Sequence, residues 1–159
     1  MPTDTPTDDD RDLLLVRELA APRDAVWRCW TEPELLKRWF TPAPWSTTRF
    51  DRDLRPGGGS TVTMRSPDGE EFTHRGVYLE VVPGERLVFT DAYRAGWEPA
   101  DKPFMTAVIT LADAGPGRTL YTARVRHWTA EDRKRHEDMG FHPGWNKAAD
   151  QLVDTARSL

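Results

Sequence analysis

The sequence predicts an α+β fold in which a curved antiparallel sheet of six to seven strands wraps around a long C-terminal helix. Residues 46–127 contain short segments rich in β-branched and aromatic residues, and Gly- and Pro-rich turns separate these segments. Two short helices are predicted after the first strand, and a long amphipathic helix is predicted at the C-terminus. The sheet has one face that needs cover, and the C-terminal helix is the only large element that can provide it.

The composition is that of a single globular domain. The chain has 159 residues, of which 38% are hydrophobic and 30% are charged, so it can build one core. Residues 1–10 have no large apolar side chain after Met1, and their Asp, Pro and Thr bias predicts a disordered leader. We therefore predict one domain over residues 11–159.

The charge and the apolar pattern exclude several classes of protein. A net charge of −4 lacks the basic footprint of a nucleic-acid-binding protein. No segment approaches the run of about 18 apolar residues that a membrane span needs, and the start of the chain lacks a signal-peptide pattern. The single cysteine, Cys29, excludes an internal disulfide, and its position between Trp27 and Trp30 indicates a buried structural thiol. We therefore expect a cytoplasmic protein that binds no nucleic acid.

The predicted N-terminal elements are one strand and two short helices. Residues 11–20 alternate imperfectly between apolar and polar side chains, as a strand does. Pro22 suits the first turn of a helix that carries apolar residues on one side. Residues 31–34 have the form of a capping box, which predicts the start of a second helix whose apolar stripe ends at Phe40.

Six further strands are predicted before the last helices. Four Gly- and Pro-rich turn clusters separate them, and hairpin spacing without an intervening helix favours an antiparallel meander. The predicted strands are residues 47–54, 60–65, 72–82, 86–93, 104–112 and 119–127. Residues 94–103 are predicted to form a loop that contains Trp97.

Two helices are predicted at the end of the chain. Residues 129–138 are polar all round, with Thr129 as a cap, which indicates a solvent-facing helix. From Pro143 onward, Trp145, Ala149 and Leu152 fall on one face of a long amphipathic helix. This second helix is the element expected to cover the sheet.

Four motifs occur in order along the chain. The first combines Val26-Trp27 with residues 30–35 (WTEPEL) and 39–42 (WFTP). The others are residues 53–58 (DLRPGG), residues 76–83 (GVYLEVVP) with 86–90 (RLVFT), and Gly144-Trp145 leading into Leu152. Together they resemble the motifs of the activator-of-heat-shock-protein-90-ATPase homologue family, within the START-like (SRPBCC) superfamily.

The resemblance implies the helix-grip fold, shared with pollen allergens, and an internal cavity. The superfamily includes lipid carriers, plant hormone binders, polyketide cyclases and co-chaperone domains, so the fold does not settle the function. The eukaryotic namesake of the family stimulates a chaperone ATPase with the help of an additional N-terminal domain. Only a leader precedes the first predicted strand here, which argues against a chaperone partner.

Aromatic residues are the main candidates for a binding site. Each aromatic side chain can bury roughly 150–250 Å², and Trp27 and Trp30 are assigned to the core. Trp39, Phe40 and Trp45 flank the Pro-rich turn 41–44, which is a candidate for gating a cavity. His74 and Tyr78 share one strand face, and the sequence leaves open whether that face points inward. The candidate ligand-binding residues are Trp39, Phe40, Trp45, His74, Tyr78, Phe89, Tyr93, Met105, His127, Phe141, His142 and Trp145.

The histidines do not form a metal motif. His136 and His142 are six residues apart rather than the four that place two imidazoles on one helical face, so no metal or cofactor is expected. A cavity histidine paired with Glu137 or Glu80 is the candidate for a general base. No Gly-x-Ser-x-Gly motif occurs, and residues 57–59 precede a strand, so we interpret them as a turn and not as a phosphate loop.

The leading hypothesis is a module that binds a hydrophobic or amphipathic small molecule in an aromatic-lined cavity. The first alternative is a cyclase- or isomerase-type enzyme in which a cavity His or Glu moves a proton. The second alternative is a co-chaperone-like protein-interaction domain. We also allow for a homodimer.

Overall fold

The computed structural model of the protein describes residues 10–159. The predicted leader, apart from Asp10, lies outside the described residues. The helices are α1 (Arg23–Thr31), α2 (Pro33–Leu36), α3 (Ala130–Asp138) and α4 (Phe141–Arg157). The strands are β1 (Asp12–Leu19), β2 (Ser46–Arg52), β3 (Gly59–Arg65), β4 (Glu71–Val82), β5 (Arg86–Thr90), β6 (Tyr93–Arg94), β7 (Glu98–Pro99), β8 (Thr106–Asp113) and β9 (Thr119–Arg126).

Seven of the strands form one antiparallel sheet in the order β1-β9-β8-β5-β4-β3-β2. The first strand, β1, pairs along its whole length with β9, from Asp12 opposite Arg126 to Leu19 opposite Thr119. The other two strands, β6 and β7, form a small separate ribbon. The predicted helix-grip fold, with a curved sheet around the C-terminal helix and two short helices after the first strand, is confirmed.

The predicted strand 86–93 ends early, at Thr90. The Asp91 carboxylate accepts hydrogen bonds from the backbone N–H groups of Phe104, at 2.8 Å, and Met105, at 3.1 Å. These bonds draw together the two ends of the segment between β5 and β8. The chain between them therefore leaves the sheet, and part of the predicted loop 94–103 pairs with residues 93 and 94 as the β6–β7 ribbon.

The predicted capping box at residues 31–34 is wrong. Thr31 is the last residue of α1, and its hydroxyl donates to the carbonyl of Trp27 at 2.9 Å. Glu32 has an extended backbone, with φ −91° and ψ 124°, because a residue that precedes proline is disfavoured in the helical region. Glu32 therefore separates two helices, and its carboxylate binds Arg28 at 2.7 Å.

The two C-terminal helices follow the prediction closely. The Thr129 hydroxyl accepts from the N–H of Asp132 at 3.0 Å, and α3 has no buried residue. Gly140 has a φ of 101°, a left-handed conformation that ends α3 at little cost for glycine. Helix α4 begins at Phe141, two residues before the predicted start, since Pro143 is tolerated in a first helical turn.

The core lies between the inner face of the sheet and helices α1, α2 and α4. Strand register aligns Leu13, Val125, Ala107 and Phe89 across four neighbouring strands, and the first three are buried. The predicted burial of Cys29 is confirmed, and burial raises the pKa of its thiol to about 11. None of the described helices is long and apolar enough to span a bilayer.

Candidate functional site

A small internal cavity lies between the inner face of the sheet and the α1–α2 region. Its free volume is about 30 Å³, which is room for a water molecule and not for an organic ligand. The walls come from the two helices, the residues after α2 and four strands. The lining residues are Trp30, Leu36, Phe40, Phe50, Ser60, Val62, Tyr78, Leu87 and Phe89.

Trp30 is the centre of the aromatic wall. Its ring centroid lies 4.9 Å from that of Trp39, 5.9 Å from Phe40 and 5.7 Å from Phe89. Trp30 is buried, as the sequence predicts for a core residue, and it also lines the cavity. Trp39 is buried behind it and donates from Nε1 to the carbonyl of Cys29 at 2.9 Å, so this candidate residue packs in the core and does not line the cavity.

The sequence leaves open which face of β4 points inward, and the structure shows that the face with Tyr78 does. Tyr78 points inward and lines the cavity, opposite Phe89 of β5. A β-bulge between Tyr78 and Glu80 inserts Leu79, which is exposed. His74 shares the inner face, since it pairs with cavity-lining Val62, but residues 71–75 are all exposed. The β3–β4 hairpin therefore extends beyond the covered region, and His74 lies outside the cavity.

Two polar groups in this region have no regular hydrogen bond within the described chain. The Tyr78 side chain is 3% exposed, and its hydroxyl has no hydrogen-bond partner within residues 10–159. Trp30 Nε1 is likewise unpartnered in the described chain. It lies near the Tyr121 hydroxyl, where burial raises the pKa of Tyr121 and Trp30 opposes part of that rise. An unsatisfied buried polar group costs about 1–3 kcal/mol, so the buried Trp30 Nε1 marks this region as unusual.

The Pro-rich turn that was predicted to gate the cavity is fastened to α4. The Gln151 side chain donates to the carbonyls of Trp39 and Thr41, at 2.9 and 2.8 Å. Its oxygen accepts from the N–H of Ala43 at 3.0 Å. Trp45, beyond this turn, is 40% exposed and contacts Phe72, which is also exposed. Of the three aromatic residues that flank the turn, Phe40 is the one that lines the cavity.

Three further candidates form a second aromatic cluster at another part of the core. Phe141 is buried and stacks on Trp145 with ring centroids 5.1 Å apart. Met105 and Trp145 pack against the same cluster, which shares Phe89 with the cavity wall. Tyr93 lies elsewhere, in the β6–β7 ribbon, where it is exposed against Trp97.

The remaining candidate histidines lie outside the cavity. His127 is 5% exposed, and its Nδ1 lies 2.8 Å from the carbonyl oxygen of Arg11. Because that oxygen only accepts, neutral His127 carries its proton on Nδ1 and accepts at Nε2 from His136 Nδ1, 3.0 Å away. Burial, with a contribution from His127, lowers the pKa of His136 to about 4.

The predicted pairing of a histidine with Glu137 occurs at the surface. His142 Nε2 lies 3.0 Å from the Glu137 carboxylate, and the His142 side chain is half exposed. Across the described part of the chain, no group of three or more His, Cys, Asp and Glu side chains is placed to hold a metal ion. The cavity wall contains neither an imidazole nor a carboxylate among its described residues.

Sequence reasoning missed several lining residues. Leu36, Phe50, Ser60, Val62 and Leu87 line the cavity but were not singled out. Ser60 and Val62 are two positions apart in β3, and this spacing is a signal that could have placed them on one face of the strand.

Comparison with known proteins identifies relatives over nearly the whole chain. Residues 20–157 match the family described as Activator of Hsp90 ATPase homolog 1-like protein. A crystal structure of a protein from Nitrosomonas europaea is 46% identical with a TM-score of 0.91, over 95% of this chain and 97% of that one.

Two further solved structures are more distant. A protein from Mycobacterium smegmatis is 30% identical, with a TM-score of 0.77, over 96% of this chain and 94% of that one. A protein from Chromobacterium violaceum is 26% identical, with a TM-score of 0.70, over 90% of this chain and 95% of that one. None of the curated proteins matches the chain. From the family match and the Nitrosomonas relative, we conclude that the chain belongs to the Activator of Hsp90 ATPase homolog 1-like family.

Proposed function

We propose that this protein binds a small hydrophobic or amphipathic molecule in the cavity between the sheet and the α1–α2 region. The observation that carries this proposal is an apolar, aromatic wall that includes the Tyr78 hydroxyl and the buried Trp30 indole N–H, which has no regular hydrogen-bond partner in the described chain. Ligand sites combine a mostly apolar lining with a few polar groups that orient the ligand. Tyr78 and Ser60 are such groups here.

Binding requires the cavity to open further. A volume of about 30 Å³ is well below the roughly 300 Å³ of small ligand pockets. Phe40 and Phe89 are only partly buried, whereas Trp30 and Leu87 are fixed in the core. Phe40 also follows α2, a helix of four residues. We expect Phe40 to swing outward when the ligand enters, which makes the open form a minor state that the ligand stabilises.

The enzyme alternative has less support. Acid–base catalysis needs a titratable group within hydrogen-bond reach of the substrate, and the described cavity wall offers only the Tyr78 phenol. Burial raises the pKa of this phenol well above its ordinary value, so it stays neutral near pH 7. The protein-interaction alternative, the single domain over residues 11–159 and the cytoplasmic location stay predictions.

A cavity-filling variant tests the proposal. Val62→Phe places a larger side chain into the cavity, whereas Thr61→Phe adds the same group to the opposite face of β3 as a matched control. We expect the wild type and Thr61→Phe to bind a fluorescent fatty acid and to carry apolar molecules in native mass spectra. Val62→Phe should bind at least about 10-fold more weakly, with its fold verified by circular dichroism.

Two outcomes would contradict this proposal. One is that neither the wild type nor the control binds any apolar probe. The other is that Val62→Phe binds as well as Thr61→Phe, which would place the probe elsewhere on the protein. Stimulation of a chaperone ATPase by the protein, without any small-molecule binding, would favour the interaction alternative instead.

A further inference from the structure

We infer that the ligand of this cavity is an amphipathic anion whose carboxylate group binds Arg52 and Tyr78 while its apolar part lies among the aromatic rings. The inference rests on the proposed binding function and specifies the class of ligand. The placement of Arg52 in the fold supports this assignment.

Arg52 lies on the cavity face of β2. Alternate residues of a strand share a face, and Phe50, two positions earlier, lines the cavity. Across the ladder, Arg52 lies opposite Ser60, which also lines the cavity. The Arg52 side chain is held at one point, since its Nε donates to the carbonyl of Thr31 at the end of α1, 2.7 Å away. The guanidinium is therefore positioned at the edge of the cavity, between α1 and the sheet.

The charge of Arg52 is not neutralised by a direct ion pair. The acidic neighbours Asp51 and Asp53 bind Arg49 and Arg55, and Glu32 binds Arg28. In the part of the chain that the structure describes, no carboxylate lies within ion-pair distance of Arg52. A guanidinium has five N–H donors. Within the described part of the chain, only the Nε donor of Arg52 makes a hydrogen bond.

Tyr78 supplies a second donor next to this charge. Its side chain is 3% exposed and lines the cavity, and the hydroxyl is unpartnered within the described residues. Burial raises the pKa of the phenol, and the positive charge of Arg52 partly opposes that rise. The strand register agrees, because Ser60 lies opposite Arg52 on one side and opposite Gly76, two positions before Tyr78, on the other, so Arg52 and Tyr78 lie on the same face of the sheet. A neutral phenol beside a guanidinium offers donors to an acceptor that carries negative charge.

A carboxylate suits this arrangement better than other head groups. It accepts paired hydrogen bonds from a guanidinium and a further bond from a hydroxyl, and the ring-lined cavity accommodates an apolar tail. A primary amine would be repelled by Arg52, and an alcohol would leave its charge unpaired. The simpler interpretation, in which Arg52 only caps the C-terminal end of α1, accounts for the Nε bond but leaves the other guanidinium donors without a role.

The test compares head groups at constant tail length. Isothermal titration calorimetry would measure the binding of straight-chain carboxylic acids from hexanoic to myristic acid, and of alcohols and primary amines of the same lengths, at pH 7. We expect the wild type to bind each acid at least about 10-fold more tightly than the matching alcohol. The amines should bind more weakly than the alcohols.

Variants locate the selectivity. Arg52→Gln should weaken acid binding by about 10- to 100-fold and leave alcohol binding within about 2-fold, because it removes a charge-assisted contact. Arg52→Lys should retain part of the preference for acids, and Tyr78→Phe should weaken acid binding by about 3- to 10-fold. Arg49→Gln is the matched control, because Arg49 is exposed on the same strand; it should change nothing.

The outcomes separate this inference from the proposed function. If acids and alcohols bind the wild type equally, or if Arg52→Gln weakens both alike, the anion inference is wrong and cavity binding stands. If none of the three classes binds, both are wrong. The comparison of head groups on the wild type needs no variant, so it decides the question even if Arg52→Gln does not fold.

Discussion

The cavity region around Trp30 and the histidine region around His136 are both rich in aromatic rings, but their polar groups are arranged differently. In the histidine region, His127 bonds to Arg11 and His136, and Glu137 bonds to His142 and Arg133. In the cavity region, the buried Trp30 indole N–H has no regular partner among the described residues.

This difference separates a structural cluster from a binding site. A buried polar network whose members are satisfied rigidifies the fold. Unsatisfied buried groups cost stability, and proteins retain them where something else depends on them. We therefore expect a structural role for the histidine region and place the proposed ligand in the cavity region, although histidines are the more familiar sign of a functional site.

The largest effect is expected from Phe141→Ala in the histidine region. Phe141 is buried and contacts His136, His142 and Trp145, so its truncation should lower the free energy of unfolding by about 3–4 kcal/mol in urea titrations. Because Phe141 does not line the cavity, the affinity of the folded variant for an apolar probe should change by less than about 3-fold. A selective loss of probe binding, with stability unchanged, would reverse the two roles.

A smaller loss of stability is expected from Phe40→Ala in the cavity wall. Phe40 is partly buried, so truncation should cost about 1–2 kcal/mol in the same titrations. It should also raise the association rate constant of an apolar probe by about 5-fold or more in stopped-flow measurements, because it removes the group that closes the cavity. Phe72→Ala, an exposed aromatic outside the cavity, is the control and should leave the rate unchanged.

The smallest effect is a pH dependence of stability that comes from His136. Its pKa falls from 6.5 to about 4 on folding, so the unfolded chain binds the proton more readily between these values. Stability should therefore be lost as the pH falls from 6.5 toward 4. Partial exposure of the imidazole limits the loss to about 1 kcal/mol.

His136→Gln isolates this contribution, since it keeps a hydrogen-bond donor for His127 but does not titrate. Urea titrations at pH 7 and pH 5 should show a smaller decrease in stability for the variant than for the wild type. Equal decreases in the two proteins would mean that His136 is not held neutral by its surroundings.

The fold was predictable to a large extent, because periodicity and turns are local signals. The strand 72–82 and the polar helix with its Thr129 cap are found where the sequence predicts them, within one residue. The capping box at residues 31–34 failed because Pro33 forces an extended Glu32, which outweighs the local capping pattern. The early end of β5 depends on Asp91 bonding to the chain 13 residues later, which no local pattern reveals.

The cavity was predictable only in part, because a pocket depends on pairing between distant strands. The alternation of side chains along β4 correctly places His74 and Tyr78 on the same face of the strand. It cannot show that the buried part of that face ends before His74. Arg52 was missed because a charged residue in a strand is usually assigned to solvent. Its inward position follows from the register of β2 with β3, which only the structure provides.

The most direct test of the account follows the indole N–H resonances of the tryptophans in ¹H–¹⁵N spectra during titration with an apolar ligand such as decanoic acid. We expect the Trp30 resonance, assigned with Trp30→Phe, to shift most, while those of exposed Trp45, Trp97 and Trp128 stay in place. Shifts confined to the exposed tryptophans, with Trp30 unchanged at saturation, would contradict it.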